Sequence, residues 1–145
     1  MNCIVSNKKA SIIKKNEVVK LFNYSGKSII LQNENQIDMA TAISGSGPGF
    51  IYNLMDAMEK AATKLGLSSD IARTLVIQTF KGSTDLILKN NLTAKKLVKS
   101  VATKGGTTEA GLKVMNKYKV HKIFIELTNS AYKKAKYQGK INAKK

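Results

Sequence analysis

The sequence predicts a mainly α fold in which about six helices follow a short strand–helix–strand segment. From Ile37 onward, apolar residues recur at helical spacing, and no stretch alternates apolar and polar residues as a half-buried strand would. Before that point, two short apolar runs flank one helical pattern, which is the order of a βαβ unit. We therefore divide the chain into residues 1–36, the βαβ piece, and residues 37–145, the helical region.

The βαβ piece is predicted from three segments: a strand at residues 3–5, a helix at residues 12–22 and a strand at residues 28–31. Two strands and one helix are too few to form a stable domain alone, because their apolar faces need further layers to cover them. This segment is therefore interpreted as the remnant of a truncated α/β domain.

The helical region is punctuated by residues that commonly start or end helices. Ser68 or Ser69 can cap a helix, Gly66 can end the one before it, and Pro48 suits a first turn after Ser46. The predicted helices span 37–43, 48–65, 69–90, 93–101, 107–117 and 120–137, with a frayed, lysine-rich end at 138–145.

Two of these helices, at 48–65 and 71–88, are apolar over more than one face. Such helices need burial on both sides, which a subunit interface provides, so the sequence favours a homodimer or higher oligomer. The alternative is a monomeric bundle with a thick core.

The amino-acid composition argues against several classes of function for this chain. The formal charge is +16, yet 25 basic residues include a single arginine, Arg73, and the lysines are scattered along the chain. Because arginine is the usual residue for bidentate recognition of phosphates and bases, we expect no nucleic-acid binding. The lone Cys3 and lone His121 predict no disulfide and no metal site, and the absence of a long apolar run or a signal-peptide pattern predicts a cytoplasmic protein without membrane contact.

The segment most suggestive of chemistry is residues 101–108, Val-Ala-Thr-Lys-Gly-Gly-Thr-Thr. Adjacent glycines allow a sharp turn and close approach, and an apolar helical pattern follows immediately. A loop that enters a helix N-terminus favours an anion, and a small carboxylate would suit it. The alternative is an ordinary capped turn between helices.

Two stretches of the sequence also resemble a known protein family. The stretch from Asp38 to Phe50, with its Ser-Gly-Ser-Gly-Pro turn, and the segment 94–116 together resemble the pyrroline-5-carboxylate reductase family. That family reduces a cyclic imine to proline with NADPH or NADH. The resemblance implies that residues 37–137 form a helical dimerisation and substrate-binding domain, and that residues 1–36 are the last βαβ piece of a Rossmann domain.

The resemblance also implies roles for matching residues. The loop would hold the substrate carboxylate, and Thr108 would orient or protonate the imine nitrogen as a catalytic residue. The Ser44–Pro48 turn would lie beneath the nicotinamide. The implied substrate-binding residues are Val101, Thr103, Gly105, Gly106, Thr107 and Thr108, and the implied cofactor contacts are Ser44, Gly45 and Ser46. Lys104 departs from the proline usual before the glycine pair.

The sequence contains no G-x-G-x-x-G turn to hold a dinucleotide. We therefore expect the chain alone not to bind the cofactor and to be inactive. Two hypotheses remain. The chain is half of an enzyme that works with a separately encoded Rossmann half, or it is a non-catalytic helical dimerisation module left by a split gene.

Overall fold

The computed structural model describes residues 1–7 and 9–142. In this part of the chain a two-stranded sheet with its connecting helix precedes six further helices, so the predicted mainly α fold is confirmed. The elements in order are β1 (Asn2–Ile4), α1 (Ile12–Asn23), β2 (Ser28–Ile30), α2 (Asn35–Ala40), a π-helical turn (Thr41–Gly45), α3 (Gly47–Lys64), α4 (Ser69–Asn90), α5 (Ala94–Val101), α6 (Thr107–Lys117) and α7 (Val120–Asn142).

The chain forms two compact units. The first comprises Met1–Pro48 and the chain from Phe124 onward, and the second comprises Gly49–Ile123. The first unit therefore contains α2 and most of α7 in addition to the βαβ piece. A hydrogen bond joins these two helices within the unit, from Tyr132 Oη to Asn35 Oδ1 at 2.9 Å.

The two strands pair in parallel, as a βαβ unit requires. Asn2 lies opposite Ser28, and Ile4 lies opposite Ile30. The side chain of Asn2 also donates to the carbonyl oxygens of Phe22 at 2.9 Å and Gly26 at 3.2 Å. This one amide therefore fastens the start of β1 to the turn that connects α1 to β2.

Most helix ends lie where local capping residues predict them. Ser68 Oγ accepts from Ile71 N at 3.4 Å at the start of α4, and Thr93 Oγ1 accepts from Lys96 N at 3.3 Å at the start of α5. Gly66 follows α3 with φ of 102°, a left-handed conformation that glycine adopts without steric cost.

The predicted break at residues 44–48 is instead a π-helical turn that leads almost directly into α3. Ser46 N donates to Thr41 O at 2.8 Å, a bond across five residues, and Ser46 has helical φ and ψ rather than those of an N-cap. The side chains of Thr41 and Ser44 donate to the carbonyl oxygens of Ile37 and Ala40. Such bonds satisfy the two hydroxyl groups within the helix, and they commonly bend it.

Helix α7 continues to Asn142, beyond the end predicted at residue 137. Lysine has good helix propensity, and positive charge in a last turn interacts favourably with the helix dipole, so the lysine-rich sequence extends the helix rather than ending it. Of the segment predicted to fray, residues 143–145 lie outside the described residues.

Few side chains are buried within the chain itself. Among the described residues the buried hydrophobic ones are Ala42, Ala72 and Val76. In the unit Gly49–Ile123, all of which is described, Leu75 is 52% exposed and Ile71 is 51% exposed. In α7, Ile123 and Phe124 are exposed as well. No described helix is both long and apolar enough to cross a bilayer.

Candidate functional site

The predicted anion-binding loop connects α5 to α6 in the second unit. Val101 is the last residue of α5, and Thr107 is the first residue of α6, at the boundary that the sequence predicts. The side chains of Thr103, Thr107 and Thr108 are exposed, so their hydroxyl groups are accessible to a ligand. The six predicted substrate-binding residues therefore lie in this short loop and at the helix ends on either side of it.

Gly105 supplies the sharp turn of this loop. Its φ is 76°, in the left-handed region that residues with a Cβ rarely adopt. Its N–H donates to Oε2 of Glu109 at 2.9 Å. The same carboxylate oxygen lies 3.4 Å from Nζ of Lys113, one helical turn further along α6. An internal carboxylate thus already accepts a backbone N–H of the loop.

Position 106 requires a glycine because a side chain would not fit there, and not because its φ is unusual. It is the N-cap of α6, with φ of −81° and ψ of 167°, values open to any residue. A Cβ built there would lie 2.6 Å from Thr103 Oγ1 and 3.1 Å from Thr103 O. Its N–H donates to Thr103 O at 3.0 Å, which closes the turn.

The first turn of α6 supplies backbone donors at the end of this loop. In any α-helix the first N–H groups lack an intrahelical acceptor, which applies here to Thr107, Thr108 and Glu109. No side chain caps this end, because the N-cap is Gly106 rather than a threonine. The partial positive charge of the helix N-terminus favours an anion at this position, and Lys104 adds a positive charge to the loop that precedes the helix.

The predicted cofactor contacts lie together in the first unit. Ser44 and Gly45 belong to the π-helical turn, and Ser46 follows it as a half-buried residue. Single π-helical turns within helices are rare and occur frequently at functional sites. Among the described residues, no group of three or more His, Cys, Asp or Glu side chains is arranged to hold a metal ion.

A comparison with protein families identifies the helical region. Residues 34–138 match the family model described as pyrroline-5-carboxylate reductase dimerisation. The chain belongs to the pyrroline-5-carboxylate reductase family. The match begins close to residue 37, where the sequence predicts the dimerisation domain of that family to begin.

Relatives from this family cover most of the chain. Pyrroline-5-carboxylate reductase 2 of Bacillus subtilis is 39% identical over 105 residues, which is 72% of this chain and 38% of that protein. The Staphylococcus aureus (strain COL) reductase is 35% identical over 116 residues, 80% of this chain and 41% of that protein. The chain thus spans about two fifths of the length of these reductases.

Solved structures of pyrroline-5-carboxylate reductases show the same fold. The Coxiella burnetii enzyme matches with a TM-score of 0.90 and 31% identity, over 93% of this chain and 50% of that chain. The Plasmodium falciparum enzyme, crystallised with NADP bound, matches with a TM-score of 0.84 and 31% identity, over 94% of this chain and 53% of that chain. Members of this family therefore use NAD(P)H.

Glu109 was not among the residues singled out from the sequence, although its position carries a signal. It stands three residues after the N-cap Gly106, where an acidic side chain can reach back to the N–H groups that precede a helix. In this chain the acceptor reaches one residue further back, to Gly105.

Proposed function

We propose that the chain supplies the substrate-binding and dimerisation half of a pyrroline-5-carboxylate reductase. In this role it works with a nucleotide-binding half that lies outside these 145 residues. The reaction is the NAD(P)H-dependent reduction of 1-pyrroline-5-carboxylate to proline. The observation that carries the proposal is the loop at residues 101–108, which combines exposed threonine hydroxyls with the uncapped N-terminus of α6.

The loop suits the substrate's carboxylate. First-turn N–H groups of α6 would donate to it, with the exposed hydroxyls of Thr103 and Thr107 beside them. In the same assignment, the Thr108 hydroxyl orients or protonates the imine nitrogen. Both assignments are supported by the family match and by the accessibility of these groups.

The residues of this chain do not fit the pyrophosphate of a dinucleotide. The fold that binds dinucleotides holds these phosphates on a glycine-rich turn between a strand and the following helix. Here β1 is followed by residues 5–11, Val-Ser-Asn-Lys-Lys-Ala-Ser, which contain no glycine. In our proposal the nucleotide is held by the other half, and Ser44, Gly45 and Ser46 contribute contacts near the nicotinamide only.

A fusion protein tests this division of labour. The nucleotide-binding half of the Bacillus subtilis relative would be joined to residue 1, and NADPH oxidation would be followed with 1-pyrroline-5-carboxylate. We expect turnover from the fusion and none from the 145-residue chain alone. Turnover by the chain alone would contradict the need for a second half. An inactive but folded fusion would support a non-catalytic dimerisation module instead.

The Thr108→Ala variant of the fusion tests the catalytic assignment. Because the hydroxyl would act where the imine nitrogen gains a proton, we expect kcat to fall by about 10²-fold, as on removal of one donor to a developing charge. KM should change much less.

Thr84→Ala in α4 is the matched control, since its hydroxyl donates only to Phe80 O within its own helix. Its kcat should stay at the parent value. If Thr108→Ala also retained kcat within about twofold, far short of the loss seen for such donors, Thr108 would have no catalytic role.

We further propose that two copies of the chain form a homodimer through the second unit. The exposed apolar residues of α3 and α4 support this, because obligate dimer interfaces resemble a domain core divided between two subunits. The exposed apolar residues in this pair of helices include Ile51, Leu54, Met58, Ile71, Leu75, Ile77, Leu86 and Ile87.

A further inference from the structure

The carboxylate of Glu109 lies in the loop that is proposed to bind the carboxylate of the substrate. Its Oε2 accepts the N–H of Gly105 at 2.9 Å, and Lys113 Nζ lies 3.4 Å from the same oxygen. Two roles are open to such a group. It could occupy a ligand's place until the ligand displaces it, or it could brace the loop so that other donors are free to bind the ligand.

The geometry favours a brace. Glu109 lies in the first turn of α6, four residues after Gly105, so its carboxylate is delivered to that N–H by local backbone structure. Lys113 holds the carboxylate from the helix side and offsets its negative charge. A free ligand would have to displace an acceptor that the chain itself holds beside this N–H, and tethering raises the effective concentration of that acceptor.

The brace acts on the turn at Gly105. A φ of 76° is one of several conformations that glycine adopts readily, so the residue itself does not fix the turn. The bond from Gly105 N–H to Glu109 selects this conformation, and the bond from Gly106 N–H to Thr103 O closes the loop behind it. With both glycine N–H groups engaged, the first-turn N–H groups of α6, those of Thr107, Thr108 and Glu109, are the helical donors left for a ligand.

We propose that Glu109 is a positioning residue for carboxylate binding. It holds Gly105 in its left-handed conformation, and the first turn of α6 is thereby presented to the ligand. This inference rests on the proposed function, since it assumes that the loop binds a substrate carboxylate. It assigns Glu109 no contact with the substrate.

Amide hydrogen exchange on the full chain tests the brace without any ligand. In Glu109→Ala the N–H of Gly105 should exchange about tenfold faster, the loss expected when a hydrogen bond to a charged acceptor is removed. Glu109→Gln should retain most of the protection, because its amide oxygen can accept the same bond. Unchanged exchange in Glu109→Ala would overturn the proposal.

Titration of the full chain with L-proline, the proposed product, tests the effect on the ligand. We expect Glu109→Ala to weaken proline binding about tenfold, equivalent to the loss of one well-oriented hydrogen bond, and Glu109→Gln to restore most of the affinity. Ser68→Ala is the control, because it removes the N-cap of α4 in the same unit, away from the loop, and should leave proline affinity unchanged.

Each other outcome has a distinct meaning. Tighter binding in Glu109→Ala would show that the carboxylate occupies the ligand's place, which overturns the brace. Equal weakening in Ser68→Ala would show general destabilisation, which also overturns it. If the unmodified chain bound no proline, the proposed function would fail and the positioning role with it. In that case faster exchange at Gly105 would still identify Glu109 as a structural clamp of the turn.

Discussion

The adjacent glycines Gly105 and Gly106 are required for different physical reasons. Gly105 adopts a left-handed φ of 76°, whereas Gly106 has an ordinary φ but no room for a Cβ. Replacing Gly105 by another residue would strain the backbone. A side chain at position 106 would instead clash with Thr103. The lack of room at position 106 can be tested by adding a single methyl group there.

Gly106→Ala should destabilise the protein although its backbone angles suit alanine. The new Cβ would lie 2.6 Å from Thr103 Oγ1 and 3.1 Å from the carbonyl oxygen of the same residue, so the loop must shift. We expect the free energy of unfolding to fall by about 1–3 kcal/mol, as in other overpacked sites. Urea denaturation followed by circular dichroism measures this change.

Gly111→Ala in the same helix is the control. A Cβ there meets no atom within 4 Å, so replacing a helical glycine by alanine should raise stability by about 0.5–1 kcal/mol. Equal stability changes in the two variants would contradict the close contact with Thr103.

The sequence alone predicts part of this loop. A glycine pair before an apolar helical pattern predicts a turn into a helix, and the structure has that turn with α6 starting at Thr107. Sequence cannot separate the roles of the two glycines, since these depend on φ and on the position of Thr103. Nor does it reveal the reach of Glu109 to Gly105, because acidic residues in a first turn commonly interact with the helix dipole alone.

At the scale of elements, prediction succeeds where a helix end is encoded by its own residues. Ser68 and Thr93 cap α4 and α5 through their own side chains, and Gly66 ends α3 by a positive φ. Prediction was less accurate at the π-helical turn Thr41–Gly45, because serine and glycine usually interrupt helices. There the hydroxyls of Thr41 and Ser44 bond back to the preceding turn.

Helix α7 provides a prediction at this scale. If the helix continues to Asn142, Gly139 lies in its interior, and Gly139→Ala should raise the free energy of unfolding by about 0.5–1 kcal/mol. The added Cβ would lie 3.8 Å from Asp38 Oδ1, an ordinary contact. Gly82→Ala in α4, where a Cβ meets nothing within 4 Å, gives the reference gain for a helix interior. No gain for Gly139→Ala beside a clear gain for Gly82→Ala would indicate a frayed end.

At the scale of the whole molecule, the main feature is how little apolar surface each unit buries on its own. In the second unit, the buried hydrophobic residues are Ala72 and Val76, while much larger side chains such as Leu65 and Leu75 are exposed. Sequence analysis predicted surplus apolar surface on these helices, but it could not identify which faces stay uncovered, because that depends on how the helices pack.

The proposed homodimer predicts that a charged side chain introduced on α4 weakens the association of two chains. Leu75→Asp should shift the protein toward monomer in sedimentation experiments, because an unpaired carboxylate would be buried at the interface. Ile12→Asp is the matched control, since Ile12 is 75% exposed on α1 in the first unit. Its association should match that of the parent chain. A dimer insensitive to Leu75→Asp would place the interface elsewhere.

The two-stranded sheet has a consequence for behaviour in concentrated solution. Within the described residues β1 and β2 pair only with each other, so each strand presents one edge of unpaired backbone groups, which can template contact with other molecules. The charge of +16 opposes such contact by mutual repulsion. Raising the salt from about 0.1 M to about 1 M shortens the screening length from about 10 Å to about 3 Å, so light scattering should increase. The abundant lysines would then keep the edges of this two-stranded sheet from associating with other molecules.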